Sequence, residues 1–270
     1  MIASLVNAQS TDVSFVSLLW TLLSASFCFA FLNGASNVLN QVTDLKEDII
    51  SKPYRPIPQG IISPKQAYQV SLFLYMTAFL LSLTVHILFS FFVVLIAFFS
   101  ITYSLKPRVK KYLFLNQIWV ALPRGFFGFI GSWSVFGNPF EPLPLGMGCI
   151  AALFLFGGTA TKDIRDASAD RTVGTRTLIN TFGPKKAAFF SLFFMTSAFA
   201  LIFPLVYFQL INASFLPLAA LSLFGTVIAW LMVQDHKNKK CENTAAWTVM
   251  YATYFIFALS FAVIAIVFSA

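Results

Sequence analysis

The sequence predicts an all-α fold: a multi-pass bundle of transmembrane helices forming a single domain over residues 1–270. Of the 270 residues, 58% are hydrophobic and only 10% are charged, whereas soluble domains carry about 25% charged residues. Apolar runs near the roughly 20 residues needed to cross a bilayer recur along the whole chain. The first run starts at Val13 without a basic segment before it and is too long for a signal-peptide core, so we expect a retained span.

The apolar runs define eight predicted spans with approximate edges. They are residues 13–40, 66–86, 88–104, 113–136, 145–161, 187–208, 215–233 and 245–268. Ser63 and Pro64 before the second span are typical of an N-cap followed by proline at the first helical position. Gly183 and Pro184 similarly mark the entry to the sixth span.

The spans also predict two related halves, residues 13–136 and 145–268. The first and fifth spans both end in an acidic cluster, both lead into a long cationic loop, and each is followed by three more spans. This order predicts a parallel repeat of four helices in each half.

Charge is distributed asymmetrically across the predicted bundle. In an eight-span zigzag, all 18 lysines and arginines fall on one side, with Arg124 just inside the fourth span, while the opposite connections hold only Asp12, His86 and Glu141 as titratable groups. The positive-inside rule makes the basic side cytoplasmic. The net charge of +8 is therefore a topology signal, which argues against nucleic acid as a partner. Three scattered cysteines and two separated histidines indicate neither a disulfide framework nor a zinc site.

The first acidic cluster lies at the cytoplasmic end of the first span. Asn40, Asp44 and Asp48 are spaced i, i+4 and i+8, so they share one helical face. The helix must end before Pro53. Glu47 is expected to point about 100° away from Asp48 and to matter little.

The second cluster ends the fifth span, where Asp163, Asp166 and Asp170 share a face at i, i+3 and i+7. Two such helices ending on one side are expected to bring the aspartates together, which is repulsive unless cations neutralise them. Solvated helix caps are the alternative interpretation, but five of the ten acids of the chain sit in these clusters. Oxygen-only ligands suit Mg²⁺, which takes one or two carboxylates together with waters and phosphate oxygens.

The surrounding cations would hold a polyphosphate. Metal ions that stabilise a departing diphosphate, beside an apolar and aromatic cavity that shelters the resulting cation, are the requirements of allylic diphosphate ionisation. The 33 phenylalanines can supply such walls, although most are expected to face lipid or to pack between helices.

These motifs resemble those of the UbiA-type intramembrane prenyltransferases. NQVTDLKED (40–48) followed by KPYRPIPQG (52–60) is similar to the first signature of that family, and KDIRDASADRTVGTRTL (162–178) is similar to the second. YSLKP (103–107) resembles the Tyr-Ser segment that ends the family's fourth helix. Gln41 stands where an aspartate is frequent, which removes one ligand.

The resemblance implies a helical bundle, usually of nine spans, around a central chamber that opens toward lipid beneath a cytoplasmic cap. Since eight spans are predicted here, the family's first helix is missing from the pattern. Residues 1–12 are expected to form the loop that would follow it.

The resemblance also implies roles for individual residues. Those implied to be catalytic by holding Mg²⁺ and diphosphate are Asn40, Asp44, Asp48, Asp166 and Asp170, with Asp163 as a further metal ligand. Those implied to contact substrate are Lys52, Arg55, Tyr103, Ser104, Lys106, Lys162 and Arg171. Arg124 is a further candidate for substrate binding, with snorkelling toward the interface as the alternative.

The predicted reaction is Mg²⁺-dependent transfer of a prenyl group from a prenyl diphosphate, geranylgeranyl diphosphate being one candidate, to a lipophilic acceptor within the membrane, with release of diphosphate. The acceptor stays open between an aromatic quinone precursor, a prenylglycerol phosphate and a tetrapyrrole.

A terpene cyclase of the same fold is the alternative enzyme, disfavoured by the complete Asn40, Asp44 and Asp48 pattern. A transporter is the alternative class, disfavoured because carriers usually place ionisable groups near the midplane.

Overall fold

The structure, a computed structural model, describes residues 1–7, 14–235 and 244–268 and is helical without strands over those ranges. The first half contains α1 (Ile2–Asn7), α2 (Phe15–Thr43), α3 (Leu45–Ser51), α4 (Pro64–Ser82), α5 (Ile87–Ser104), α6 (Leu115–Ala121) and α7 (Phe127–Trp133). A 3₁₀ turn at Val109–Lys111 precedes α6, and a π-helical turn at Leu122–Phe126 joins α6 to α7. Val13 and Asp12, on which two of the predictions fall, lie outside the described residues.

The second half has a similar order of elements. It contains α8 (Pro142–Gly158), α9 (Asp163–Thr172), α10 (Leu178–Phe182), α11 (Pro184–Ala200), α12 (Ile202–Tyr207), α13 (Ser222–Asp235) and α14 (Ala245–Phe268). The 3₁₀ segments Thr159–Lys162 and Ala213–Leu221 precede α9 and α13. In each half a long helix leads into a short polar helix and packs on the helix that follows, α2 on α4 and α8 on α11. The pseudo-repeat is a proposal that this order supports.

Local sequence signals set the ends of several helices. The Ser63 hydroxyl accepts from the backbone of Gln66, whose side chain accepts from the Ser63 amide, so a capping box starts α4 with Pro64 in its first turn. Gly183, at φ +81°, ends α10 and lets the chain turn into α11. The predicted start and entry signals at these two places are confirmed.

Six helical segments of the described chain are long and apolar enough to cross a membrane. They are Phe15–Thr43, Ile87–Ser104, Pro142–Thr172, Pro184–Tyr207, Ala213–Asp235 and Ala245–Phe268. The predicted spans 66–86 and 113–136 are helical but are not among the six. Polar side chains, such as Gln66 in α4 and Gln117 and Arg124 in the other segment, make these two less apolar. The count of eight spans therefore stays a prediction.

The amino-terminal expectation is wrong over residues 2–7. Instead of a loop, Ile2–Asn7 forms the helix α1, which packs against α14 with Ala3 buried. Residues 8–12 of the expected loop lie outside the described residues.

The apolar side chains form two buried clusters. The larger one is centred on α8, α11 and α14 and contains Phe154, Phe199 and Phe257, while the smaller lies between α2, α4 and α5. Many other large apolar side chains, Phe73 and Phe189 among them, are exposed on the outside of the bundle. A wide apolar exterior is expected where lipid is the solvent, and it leaves the charged residues gathered at the ends of the helices.

Candidate active site at the polar end of the bundle

The first acidic cluster lies on a helix that is interrupted in its middle. Asp44, with φ −101° and ψ 16°, separates α2 from α3. The amide of Asp44 nevertheless donates to the carbonyl of Asn40 at 2.9 Å, that of Asp48 to Asp44 at 2.7 Å, and that of Lys52 to Asp48 at 2.8 Å. The i to i+4 ladder thus continues through the break and keeps these four residues along one line.

Asp44 is paired with two cations from the segment that follows α5. Arg108 Nη2 lies 2.8 Å from Asp44 Oδ1, and Lys110 Nζ donates to the same oxygen. Lys110 also donates to Asn40 Oδ1 at 2.9 Å. Arg108 has a left-handed backbone conformation, φ +56°, which is uncommon for a residue other than glycine. Its side chain therefore reaches the cluster from a tightly turned loop.

Glu47, which the sequence predicts to matter little, belongs to the same ion-pair network. Its side chain is buried, and its Oε1 lies 2.7 Å from Arg108 Nη2, which also donates to the Thr43 carbonyl at 3.0 Å. Asp44 and Glu47 are three residues apart, a spacing that places side chains next to each other on a helix. Arg108 therefore reaches both carboxylates.

Asp48 is 2% exposed and is paired with Arg55, whose Nη1 lies 2.8 Å from Asp48 Oδ2. Burial raises the pKa of the Asp48 carboxyl above its ordinary value, and Arg55 opposes this shift. Burial likewise lowers the pKa of Lys110, opposed by Asp44. Asp48 and Lys110 are both buried, and electrostatic interactions are stronger inside the protein than in water.

The second cluster lies at the start of α9, beyond the end of α8. Asp163 is buried, and Asp166 accepts from Lys52 Nζ at 2.6 Å through Oδ2. The contact joins residues 114 positions apart in the chain. The carboxylate of Asp170 interacts electrostatically with those of Asp163, Asp166 and Asp44. The two acidic clusters therefore face each other, with α3 packed against α9.

The end of α5 lies between the two clusters. Tyr103 accepts from Lys162 Nζ at 2.6 Å through its hydroxyl, and the same ammonium lies 5.0 Å from the centroid of its ring. The neighbouring Ser104 hydroxyl donates to Asn40 Oδ1 at 3.4 Å. Tyr103 thus contacts Lys162 beside the second cluster, and Ser104 contacts Asn40 of the first cluster.

Three predicted substrate-binding residues lie apart from these contacts. Lys106 and Arg171 are exposed, and Arg171 Nη2 donates to the Asn180 carbonyl at 3.5 Å. Arg124 interacts with α2 and α14 instead, through Asn33 and Tyr251. The roles of these three residues stay predictions.

Sequence reasoning missed Arg108, Lys110 and Glu47 as residues of the site. By sequence, Arg108 and Lys110 belong to the cations that indicate topology. Their position in the cationic segment after the third span is the signal that could have placed them near the acids. The turned loop has no helical period, so the sequence does not show which of its cations meet the acids.

The donor atoms of the site fit a hard cation only in part. Within the described ranges, no group of three or more Asp, Glu, His or Cys side chains converges closely enough to hold a metal ion. Asp44, Asp48 and Asp166 each pair with a cation of the chain instead. However, Asp166 Oδ1 is buried without a hydrogen-bond partner. An all-oxygen set with such an atom fits Mg²⁺, because this ion takes few carboxylates and keeps oxygens from water and phosphate.

The structure is a helical membrane bundle with facing carboxylates and cations at one end. This arrangement is typical of intramembrane enzymes that act on lipophilic substrates with charged groups. The model of the UbiA prenyltransferase family matches residues 1–257. The chain therefore belongs to the UbiA prenyltransferase family and is an integral membrane prenyltransferase.

Two relatives of the chain are named digeranylgeranylglyceryl phosphate synthases. The chain is 30% identical to the protein of Methanococcoides burtonii over 234 residues, covering 86% of this chain and 82% of the relative. It is 26% identical to the protein of Sulfurisphaera tokodaii over 244 residues, covering 88% and 84%.

A solved structure, that of a UbiA homologue from Archaeoglobus fulgidus bound to GPP and Mg²⁺, has the same fold. The TM-score is 0.71 at 18% identity, with 98% of this chain and 94% of that chain covered.

Proposed function

We propose that the chain transfers a geranylgeranyl group from geranylgeranyl diphosphate to geranylgeranylglyceryl phosphate. The products are digeranylgeranylglyceryl phosphate and diphosphate. The names of the relatives support this choice among the acceptors that the motifs leave open. In the reaction, the acceptor hydroxyl oxygen bonds to C1 of the donor, the bond from C1 to the diphosphate oxygen breaks, and the hydroxyl proton is released.

The observation that carries the proposal is the contact between Lys52 and Asp166. It brings the ends of two helices that are distant in sequence to one place, so that carboxylates of both clusters lie within electrostatic range of one another. Lys110 and Arg108 on one side, and Lys162 on the other, offer ammonium and guanidinium donors to the oxygens of a diphosphate.

The residues proposed to hold Mg²⁺ are Asn40, Asp44, Asp48, Asp163, Asp166 and Asp170. The solved homologue bound to GPP and Mg²⁺ supports the choice of metal. The ion, when bound, neutralises the diphosphate and makes it a better leaving group. The lysines and arginines that pair with these carboxylates could also donate to the oxygens of a bound diphosphate.

Tyr103 is proposed to position two of the cations. Its ring lies 5.0 Å from Lys162 Nζ and 5.9 Å from Lys110 Nζ, and its hydroxyl accepts from Lys162. Both ammonium groups are thereby held near the same ring. The charged end of the bundle is proposed to face the cytoplasm, which the positive-inside rule supports.

The test is a product assay on the purified protein in lipid. Geranylgeranyl diphosphate is supplied with geranylgeranylglyceryl phosphate, an aromatic quinone precursor or no acceptor, with Mg²⁺ or with EDTA, and products are identified by mass spectrometry. We expect the diether phosphate with Mg²⁺ and none with EDTA. Transfer only to the aromatic acceptor would overturn the choice of acceptor. A hydrocarbon formed without acceptor would indicate a cyclase.

A further inference from the structure

Arg124 lies on the π-helical turn Leu122–Phe126, where the amide of Phe127 donates to the carbonyl of Leu122. Such turns interrupt α-helices frequently at functional sites. Arg124 Nη1 donates to the hydroxyl of Tyr251 at 2.8 Å and Nη2 to Asn33 Oδ1 at 3.4 Å. The hydroxyl of Tyr254 donates to the Arg124 carbonyl at 2.8 Å. The turn is thus held between α2 and α14, which belong to different halves.

The hydrogen-bond partners of the Arg124 guanidinium among the described residues are neutral. Over the same residues, the ion pairs join other cations to the acids, and none includes Arg124. Its side chain is exposed. An arginine within a membrane bundle usually pairs with an opposite charge or marks the path of a substrate. An anionic group of a substrate would balance the charge of Arg124.

The neighbours of Arg124 can also donate to such an anion. The hydroxyl of Tyr251 accepts from Arg124 and still has its own proton to donate, and the amide of Asn33 has N–H groups. A guanidinium fork flanked by a hydroxyl and an amide matches the geometry of a phosphate group.

The region formed by Arg124, Tyr251 and Asn33 is separate from the acidic clusters. Asn33 precedes Asn40 by seven residues on α2, which corresponds to about 10 Å along the helix axis. Lys162 lies within electrostatic range of Arg124 and connects the two regions. A substrate pair with two anionic groups, a diphosphate on the donor and a phosphate on the acceptor, needs two such places.

Resting on the proposed function, we infer that Arg124, together with Tyr251 and Asn33, binds the phosphate of the acceptor. The acceptor is thereby oriented with its hydroxyl toward the diphosphate end of the donor. The site takes a phosphate monoester attached to a lipid chain, and it distinguishes that acceptor from its neutral dephosphorylated form.

The test compares two acceptors, geranylgeranylglyceryl phosphate and neutral geranylgeranylglycerol, in Arg124→Gln, Arg124→Lys, Tyr251→Phe and wild-type protein. Loss of a hydrogen-bonded charge predicts a rise in KM for the phosphate acceptor of roughly tenfold to a hundredfold in Arg124→Gln, with an unchanged KM for the donor. The preference for the phosphate acceptor over the neutral one falls by the same factor. Arg124→Lys restores part of it, and Tyr251→Phe loses less.

Lys65→Gln is the matched control, since Lys65 is an exposed cation in the first turn of α4 and takes part in none of the contacts described for Arg124. It should keep both KM values. If a variant has no turnover, binding of geranylgeranylglyceryl phosphate is measured by the thermal shift of the protein without donor, where wild type should shift and Arg124→Gln should not.

Failure of this inference can be told apart from failure of the proposed function. If the wild type prenylates neither glycerol acceptor, the proposed function is wrong. If the wild type prenylates the phosphate acceptor while Arg124→Gln raises the donor KM and keeps the acceptor preference, Arg124 serves the diphosphate and the inference is overturned.

Discussion

At the scale of residues, the ion pairs of the site compensate the desolvation of its buried carboxylates and hold cations that a diphosphate could bind. Asp44 lies 2.8 Å from Arg108 Nη2 and also accepts from Lys110, and Asp48 is held by Arg55. A buried carboxylate without a partner is energetically unfavourable, so these cations stabilise the carboxylates in the folded chain. The same cations are within reach of a diphosphate.

Replacing Asp44 with asparagine should reduce turnover by at least about a hundredfold, because a neutral amide can neither neutralise Lys110 nor ligate a metal as a carboxylate does. The variant should stay folded in the membrane. Steady-state product formation at saturating Mg²⁺ checks the prediction. Glu141→Gln makes the same chemical change at the exposed start of α8 and should retain wild-type turnover. Equal turnover in both variants would contradict a role for Asp44.

Glu47→Gln should also reduce turnover, although by less than Asp44→Asn. Glu47 is buried and shares Arg108 with Asp44, so its loss weakens the hold on one cation while Lys110 remains beside Asp44. The sequence alone predicts little effect for this change. The comparison of kcat and donor KM for the two variants therefore tests whether Glu47 contributes to the site through Arg108.

At the scale of elements, the π-helical turn at Leu122–Phe126 depends on close contact with α8. A Cβ at Gly125 would lie 2.6 Å from the Cα and from the amide nitrogen of Ala152, which is backbone and cannot move aside. Only glycine permits this approach. The contact between Gly125 and Ala152 fixes the backbone position of the neighbouring Arg124. The guanidinium of Arg124 therefore lies between α2 and α14.

Gly125→Ala should destabilise the protein by about 1–3 kcal/mol, the usual cost of overpacking, and should weaken acceptor binding through displacement of Arg124. Thermal unfolding in detergent measures the first effect, and the acceptor KM measures the second. Gly60→Ala is a useful comparison for crowding, because a Cβ at Gly60 meets nothing within 4 Å, although its φ of +74° adds backbone strain. Normal acceptor KM in a destabilised Gly125→Ala would mean that the turn does not position Arg124.

At the scale of the whole molecule, the asymmetric distribution of charge predicts how the bundle lies in the membrane. The acids and cations of the site gather at one end, and exposed groups such as Asn138 and Glu141 lie in the connection between the two halves. If the positive-inside rule holds, the site faces the cytoplasm and this connection faces the opposite side.

Single cysteines introduced at Lys65 and Asn138 in a variant lacking Cys28, Cys149 and Cys241 test this orientation. Both positions are exposed. A membrane-impermeant maleimide applied to intact cells should label the cysteine at 138 at once and the cysteine at 65 only after permeabilisation. The reverse pattern would show that the site faces outward and that the proposed orientation is wrong.

Much of this molecule could be predicted from local patterns. Apolar runs of bilayer length indicate membrane helices, Ser63, Pro64 and Gly183 mark helix ends, and the spacing of the aspartates places them on helical faces, because each depends on residues a few positions apart. The family resemblance rests on the same short motifs, and the match over residues 1–257 confirms it.

The partners of the acids were decided only by the tertiary structure. Lys52 meets Asp166 across 114 residues, and Arg108 meets Asp44 across 64. No sequence period connects such positions, since the turned loop after α5 and the packing of α3 against α9 bring them together. For this physical reason the sequence by itself determined the fold class, the family and the acidic clusters. Only the folded chain determined that Arg108, Lys110 and Glu47 belong to the site and that Arg124 lies between α2 and α14.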